Sequence, residues 1–236
     1  MSRDMKLMTG RCACCGKQQT INMAFYSKSD REELNLTEYY DFKFVNINLC
    51  ENCGYVNNDL TQLIGEHTKS VVASEKYQIA VDDGYMDGYE DLPYQEYEDM
   101  GIGEFDALAM LYKAEKKTGL EYALIQNRIA ELKSVLRGEY YETYCDKYDD
   151  DDREDYEAVI DELSRQIAEA DNECMKALKN VKLKYPYEVI FVAECLTRLD
   201  KYDKARELIA GVEANFTFDE ELKDYVDEFL TEVEKI

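Results

Sequence analysis

Two copies of one short pattern, Cys12-Ala13-Cys14-Cys15-Gly16 and Cys50-Glu51-Asn52-Cys53-Gly54, constrain this chain more than anything else in it. A thiolate pair held by a tight turn makes half of a tetrahedral zinc site, and two such turns complete it. The glycine after each second cysteine suits the sharp return of the chain. Backbone N–H groups must face the sulfurs there, and a left-handed residue allows this at least cost. The spacing therefore predicts a structural Zn2+ held by Cys12, Cys15, Cys50 and Cys53. Cys14 offers a third thiol in the first turn. The x-x spacing and the following glycine favour Cys12 and Cys15, and leave Cys14 as the spare; whether it can replace either is not decided by the sequence. The insert from Gly16 to Leu49 is 34 residues, which lengthens the loop without changing the ligand geometry.

Eight cysteines also suit a disulfide framework in a secreted chain. The polar stretch Met1 to Gly10 does not read as a secretory leader, so reduced cysteines and a cytoplasmic location are expected. No apolar run approaches the roughly 20 residues of a membrane span. The formal net charge is −24 over 236 residues, and it is unevenly placed. Residues 1–62 carry 7 Lys+Arg and 8 Asp+Glu, a difference of −1, whereas residues 63–236 carry 21 and 44, a difference of −23. Phosphate contacts need cations, so direct binding to nucleic acid or an anionic membrane is excluded on charge.

The same boundary appears in the periodicity. Thr20 to Tyr26 leans towards strand. From Tyr39 to Leu49 apolar and polar residues alternate (Phe42, Phe44, then Val45, Ile47, Leu49), which predicts a strand running into Cys50. The change of parity at Phe44–Val45 suggests a bulge or a strand covered on both faces. Ser29 to Thr37 reads as an exposed excursion. So small a β-rich module is marginal alone, and zinc would supply much of its folding free energy. From Asp59 the period becomes helical, with Leu60, Leu63, Ile64, Val71, Val72 and Ile79 in one or two helices. His67, the only histidine, reads as an exposed bystander. The fold class is thus α+β, mostly α: a zinc-ribbon-like module at 1–62 and an acidic helical domain at 63–236.

Two acidic, tyrosine-rich inserts interrupt the helices, at 77–104 and 139–152. They read either as solvated loops or as a docking surface, with Tyr85, Tyr89, Tyr94, Tyr97, Tyr140, Tyr141 and Tyr144 as anchors and carboxylates selecting a basic partner. Phe105, Leu108, Ala109 and Tyr112 predict a helix ending at Gly119. Ile125, Ile129, Leu132 and Leu136 predict its partner in a helical hairpin, ending at Gly138. A longer seam follows: Tyr156, Ile160, Leu163, Ile167, Ala170, Cys174, Ala177 and Val181. Packing inside a helical array is its expected use. Cys174 and Cys195 lie on apolar faces and are expected as buried thiols. Cys145 sits among acids that disfavour a reactive thiolate.

Pro186 is placed to open a helix. Val189, Val192, Ala193, Leu196, Lys201-Tyr202-Asp203-Lys204-Ala205, Ile209 and Val212 resemble one tetratricopeptide repeat, and residues 105–137 resemble a degenerate one. A final helix should turn Leu222, Tyr225, Val226, Phe229 and Val233 inward as a cap. Taken with Cys12-x-x-Cys15-Gly16, the β-rich insert and Cys50-x-x-Cys53-Gly54-Tyr55, the chain resembles an uncharacterised bacterial family, a domain of unknown function. The resemblance implies a four-cysteine zinc module followed by a tetratricopeptide-like array, and it implies no activity.

Three functional readings follow from the sequence. The first is a non-enzymatic adaptor that binds a protein partner with a basic surface through its acidic helical face. The second is a nucleic-acid mimic that occupies a basic site on a nucleic-acid-binding protein. The third, an enzyme, is disfavoured. Four cysteines close a zinc site, and no nucleophile–base pair or phosphate loop is visible.

Overall fold

The computed structural model describes residues 4–25, 47–82, 101–146, 153–183 and 186–215, with positions 223, 224, 226, 227, 230 and 231 near the C-terminus. It divides into two compact units, Met1–Lys117 and Thr118–Ile236. The class is α+β and mostly helical.

The first unit begins with two hairpins. Strand β1 (Asp4–Arg11) pairs antiparallel with β2 (Gln18–Phe25), in a register that sets Asp4 against Phe25 and Arg11 against Gln18. Strand β3 (Asn48–Leu49) pairs with β4 (Val56–Asn57). On β2, buried Gln19 and Ile21 alternate with exposed Gln18, Thr20 and Asn22, the two-residue period of a half-covered strand. Strand β1 was not among the expected elements. Its Leu7 and Met8 are both exposed, so no alternation marks it. It exists because the first cysteine turn folds it back onto β2. Of the strand expected over Tyr39 to Leu49, only its end is described, and it enters Cys50 as expected. Ser29 to Thr37 lies outside the described residues.

Three helices complete this unit: α1 (Glu66–Val72), α2 (Glu75–Asp82) and α3 (Ile102–Ala114). Ser74 separates the first two and caps α2, its Oγ accepting the Tyr77 amide at 3.4 Å. Leu60, Val72, Tyr77, Ile102, Phe105 and Leu108 are buried. Leu63, expected on a helix, lies in the non-helical segment before α1 and is 94% exposed. Helix α3 packs on α1 and α2 and reaches β4. Thr68 of α1 donates to Glu115 at 2.8 Å, and the Lys117 ammonium lies 4.7 Å over the Tyr112 ring. The expected boundary after residue 62 does not coincide with the division into units. Tyr77, buried in α2, ties the helices to the second hairpin, as described below.

The second unit is helical: α4 (Leu120–Asp146), α5 (Arg153–Ala177), α6 (Pro186–Arg198) and α7 (Tyr202–Asn215). The two helices expected as a hairpin between residues 105 and 137 fall in different units. The first packs on α1 and α2, and the second, α4, packs on α5. Helix α4 also runs through Gly138, where a stop was expected. A glycine inside a helix costs only about 1 kcal/mol. Burial of Tyr140 one step beyond Leu132 and Leu136 continues the apolar stripe and outweighs it. Residues 139–146, expected in an acidic loop, are therefore helix, and Asp149 to Asp152 lie outside the described residues.

On α5 the expected seam is the buried face, with Tyr156, Leu163, Ile167, Ala170 and Cys174 inside. The stripe is wider than a heptad seam, because Val159, Gln166 and Asp171 are buried too. It packs on both α4 and α6. Pro186 is the first residue of α6, and α6 and α7 form a helical hairpin with Asp200 left-handed in its turn. Val189, Val192, Ala193, Leu196, Ala205 and Ile209 fill the interface side of this pair, all of them buried. Beyond it, Val226 is buried and helical as expected, while Leu222, Tyr225, Phe229 and Val233 lie outside the described residues. Among the described residues no helix is long and apolar enough to cross a membrane.

Candidate metal centre

Each cysteine pattern is the turn of one hairpin. Cys12 follows β1 and donates its amide to the Lys17 carbonyl at 2.9 Å; Cys50 follows β3 and donates to Tyr55 at 2.9 Å. Inside each turn the glycine amide returns to the first cysteine's carbonyl, Gly16 to Cys12 at 2.7 Å and Gly54 to Cys50 at 2.8 Å. Both glycines are left-handed, with φ of 74° and 69°. That is the conformation read from the sequence, and a side chain there costs roughly 1–2 kcal/mol. The local sequence thus builds the same turn twice.

Two further contacts hold the turns face to face. Lys17 Nζ donates to Asn52 Oδ1 at 3.0 Å, and the Ala13 amide donates to the Leu60 carbonyl at 2.8 Å. Asn48 clamps the hairpins together: its Oδ1 accepts the Asn22 amide at 2.8 Å, and its Nδ2 donates to the Asn22 and Asn58 carbonyls at 3.0 Å each. A buried amide that satisfies three backbone groups is a register pin.

The result is a cluster of the Sγ atoms of Cys12, Cys15, Cys50 and Cys53, all within 4.8 Å of one another. Two of the four pairs that cross between turns lie at 3.8 Å (Cys12 to Cys53) and 3.7 Å (Cys15 to Cys50). Four sulfurs at about 2.3 Å from a central ion sit about 3.8 Å apart along each tetrahedral edge. The cross-turn distances match that edge, so the donor set fits a four-coordinate thiophilic cation.

Electrostatics point the same way. Burial pushes the Cys12 thiol up to about 11, against the relief of the Cys14 and Cys15 amides. Burial, reinforced by the neighbouring thiols, drives Cys53 further up. At Cys15 the cost of burial is outweighed by the Lys17 amide and by the other thiols, and its thiol is lowered. Four sulfurs packed this closely resist sharing negative charge unless a cation sits between them. Cys14 is not one of the four clustered sulfurs. His67 is exposed and takes no part in it.

The second turn rests on α2. Tyr77 is fully buried and its hydroxyl accepts the Val56 amide at 3.1 Å. Gln78 Nε2 donates to the Cys53 carbonyl at 3.2 Å and to Val72 at 2.6 Å. Sequence reasoning missed Asn48, Tyr77 and Gln78. Their partners are backbone groups, which leave no trace in side-chain spacing. Only a polar residue in the Asn48 position, on a strand entering a ligand turn, gave a usable signal.

The tyrosines read as docking anchors separate. Tyr140 is buried and meets the Tyr156 ring edge-on at 6.1 Å, so it is a core residue. Tyr141 beside it is 58% exposed. Tyr85, Tyr89, Tyr94 and Tyr97 lie outside the described residues, as does the side chain of Tyr144.

No protein-family model, no curated protein and no solved structure matches the chain. The resemblance read from the sequence is therefore carried by the four-cysteine cluster and the helical remainder alone.

Proposed function

We propose that this chain is a non-enzymatic, zinc-stabilised protein-interaction protein. The observation that carries the first half is the match of the cross-turn sulfur distances, 3.8 and 3.7 Å, to a tetrahedral zinc–thiolate edge. Zn2+ held by Cys12, Cys15, Cys50 and Cys53 would be closed on all sides by protein sulfur, which leaves no position for substrate or water. Its contribution is to fix the two hairpins against each other, and so to make the first unit a rigid platform. The cytoplasm, where thiols stay reduced, is the compartment that suits such a site.

The second half rests on charge and on helical form. An excess of −23 over residues 63–236 selects a protein partner with a basic surface. The α6–α7 pair offers a tetratricopeptide-like hairpin as a candidate binding surface. The nucleic-acid-mimic alternative would be supported by a row of regularly spaced carboxylates along one face. On α5 that row is interrupted, because Arg165 pairs with Glu162 and Glu169, and Lys176 pairs with Glu173 at 2.7 Å. The adaptor reading is therefore preferred.

Two measurements test it. Elemental analysis of the purified chain should give one zinc per molecule, and Cys50→Ser should lose it; a metal-free, folded wild type rejects the zinc assignment. A pull-down washed at low and at moderately high salt should retain one basic partner at both. Retention only at low salt, with release by added DNA or RNA, would instead support the mimic.

A further inference from the structure

Helices α5 and α6 bring a second pair of thiols together. Cys174 and Cys195 are both fully buried, with their Sγ atoms 3.5 Å apart. They sit in a polar network that closes on itself. The Asp171 carboxylate accepts Arg198 Nε at 2.9 Å and Nη2 at 2.7 Å. The same Nη2 donates to Asn127 Oδ1 at 2.6 Å and lies 3.4 Å from Cys195 Sγ. Cys195 Sγ in turn lies 3.1 Å from Asn127 Oδ1.

We propose that Cys174 and Cys195 are a second thiol site, separate from the metal centre, which closes reversibly into a disulfide staple between α5 and α6 when a low-molecular-weight disulfide is the oxidant. Three features support this. The sulfurs need to approach by only about 1.5 Å to reach bonding distance. Oxidation removes two S–H groups and leaves no polar atom of the network without a partner: Asn127 Oδ1 keeps the Arg198 guanidinium, and Arg198 keeps Asp171. A buried network that stays satisfied in both states adds no desolvation penalty to the change. Finally, the bond would close a loop of about 20 residues, long enough to restrict the unfolded chain.

The same surroundings make the pair slow to react. The hydrogen bond with Cys174, and then burial, push the Cys195 thiol well above its ordinary value, so the closed fold presents Cys195 as a thiol and not a thiolate. Exchange therefore proceeds when α6 opens. A Cys195 thiolate attacks one sulfur of the small disulfide, forming a mixed disulfide and releasing one small thiol. Cys174 then displaces the second small thiol and forms the protein S–S bond. Two protein S–H bonds and one small-molecule S–S bond are lost. One protein S–S bond and two small-molecule S–H bonds are gained, and no further reactant is needed.

The test uses the whole zinc-loaded chain, equilibrated with graded ratios of reduced and oxidised glutathione, then acid-quenched, alkylated and digested without reduction. Mass spectrometry should find a fragment joined through Cys174 and Cys195. The melting midpoint of the helical signal should rise by about 10 °C in oxidising buffer and return with dithiothreitol. Cys174→Ala should show neither change. The wild-type result stands alone if that variant fails to fold. The proposal is overturned if Cys174 and Cys195 stay alkylatable, even in mild denaturant that opens α6. It is also overturned if the linked form melts no higher than the reduced one.

Discussion

The two units solve the same problem, burial of polar atoms, with different means. In the second, everything the network needs is encoded in the chain: Asp171, Arg198, Asn127 and Cys195 satisfy one another between long apolar helices. In the first, the Sγ atoms of Cys12, Cys15, Cys50 and Cys53 converge within 4.8 Å of one another, and the hairpin turns that carry them are partly exposed. The first unit thus presents a donor set that could hold a metal ion, whereas the second unit's network is satisfied by its own side chains.

The strongest way to break this contrast is to take the metal away. A structural zinc site contributes apparent binding free energies of about 10–16 kcal/mol at neutral pH, as much as the whole stability of an ordinary domain. Chelation, or Cys50→Ser, should unfold the hairpins of the first unit and abolish its near-ultraviolet tyrosine signal and protease resistance. The far-ultraviolet helical signal of α4 to α7 should persist. A first unit that stays protease-resistant without metal would end the comparison. The pH dependence has opposite signs in the two forms. Binding must displace protons from the thiols, so apparent metal affinity rises with pH and falls on acidification. In the metal-free fold, Cys12 is raised to about 11 by burial and Cys53 is raised further, with Cys15 opposing them. The folded state then holds protons that the unfolded chain releases near its ordinary thiol value. Whatever fold of the first unit survives chelation should therefore lose stability as pH climbs from about 8.5 towards 11.

The matching challenge to the second unit is Asp171→Leu. It strands the Arg198 guanidinium, which is only 20% exposed, beside Asn127 and Cys195. Removing one partner of such a buried pair costs about 3–5 kcal/mol. Urea unfolding should show that loss with zinc content unchanged. Adding Arg198→Met should recover most of it, because the double change leaves no buried charge. If the single substitution is silent, the network is not what holds α4, α5 and α6 together.

Most of what was legible in the sequence was periodic or spaced. The ligand quartet followed from Cys-x-x-Cys-Gly, and the α5 face from Tyr156, Leu163, Ile167, Ala170 and Cys174. What was not legible involved pairing over distance. Strand β1 has no alternation and is defined by its partner. Helix α4 passes Gly138 because Tyr140 is buried beyond it, and a single glycine is too weak a signal to outvote packing. Asp171 stands on an apolar stripe, and its partner Arg198 is 27 residues away on another helix. Tyr77 and Gln78 bond backbone groups, so nothing in side-chain chemistry points to them.

The two cysteine turns give a finer comparison, because their backbones match while their surroundings do not. A Cβ on Gly16 would meet nothing within 4 Å, whereas one on Gly54 would come within 3.0 Å of the Gln78 amide. Gly16→Ala should cost only the left-handed strain, about 1–2 kcal/mol. Gly54→Ala should cost more, about 2–3 kcal/mol, because the Gln78 amide must also shift by a few tenths of an ångström and weaken its bonds to the Cys53 and Val72 carbonyls. Thermal melts of the zinc-loaded variants would show the difference, and equal losses would mean that α2 does not support the second turn.

Tyr77→Phe asks the same question with the smallest change. The ring stays and fills its site, so no cavity forms; only the oxygen that accepts the Val56 amide is lost. That amide begins β4, immediately after the turn that carries Cys50 and Cys53, and Val56 is fully buried, so water does not easily replace the hydroxyl. An unpaired buried donor costs about 1–3 kcal/mol, and the conservative ring places this change at the lower end. The loss should appear in zinc affinity as well as in melting, since the turn is the part that loosens. A lowered midpoint with unchanged competition against a chelator would make Tyr77 a packing residue of α2, with no role in holding the metal turn.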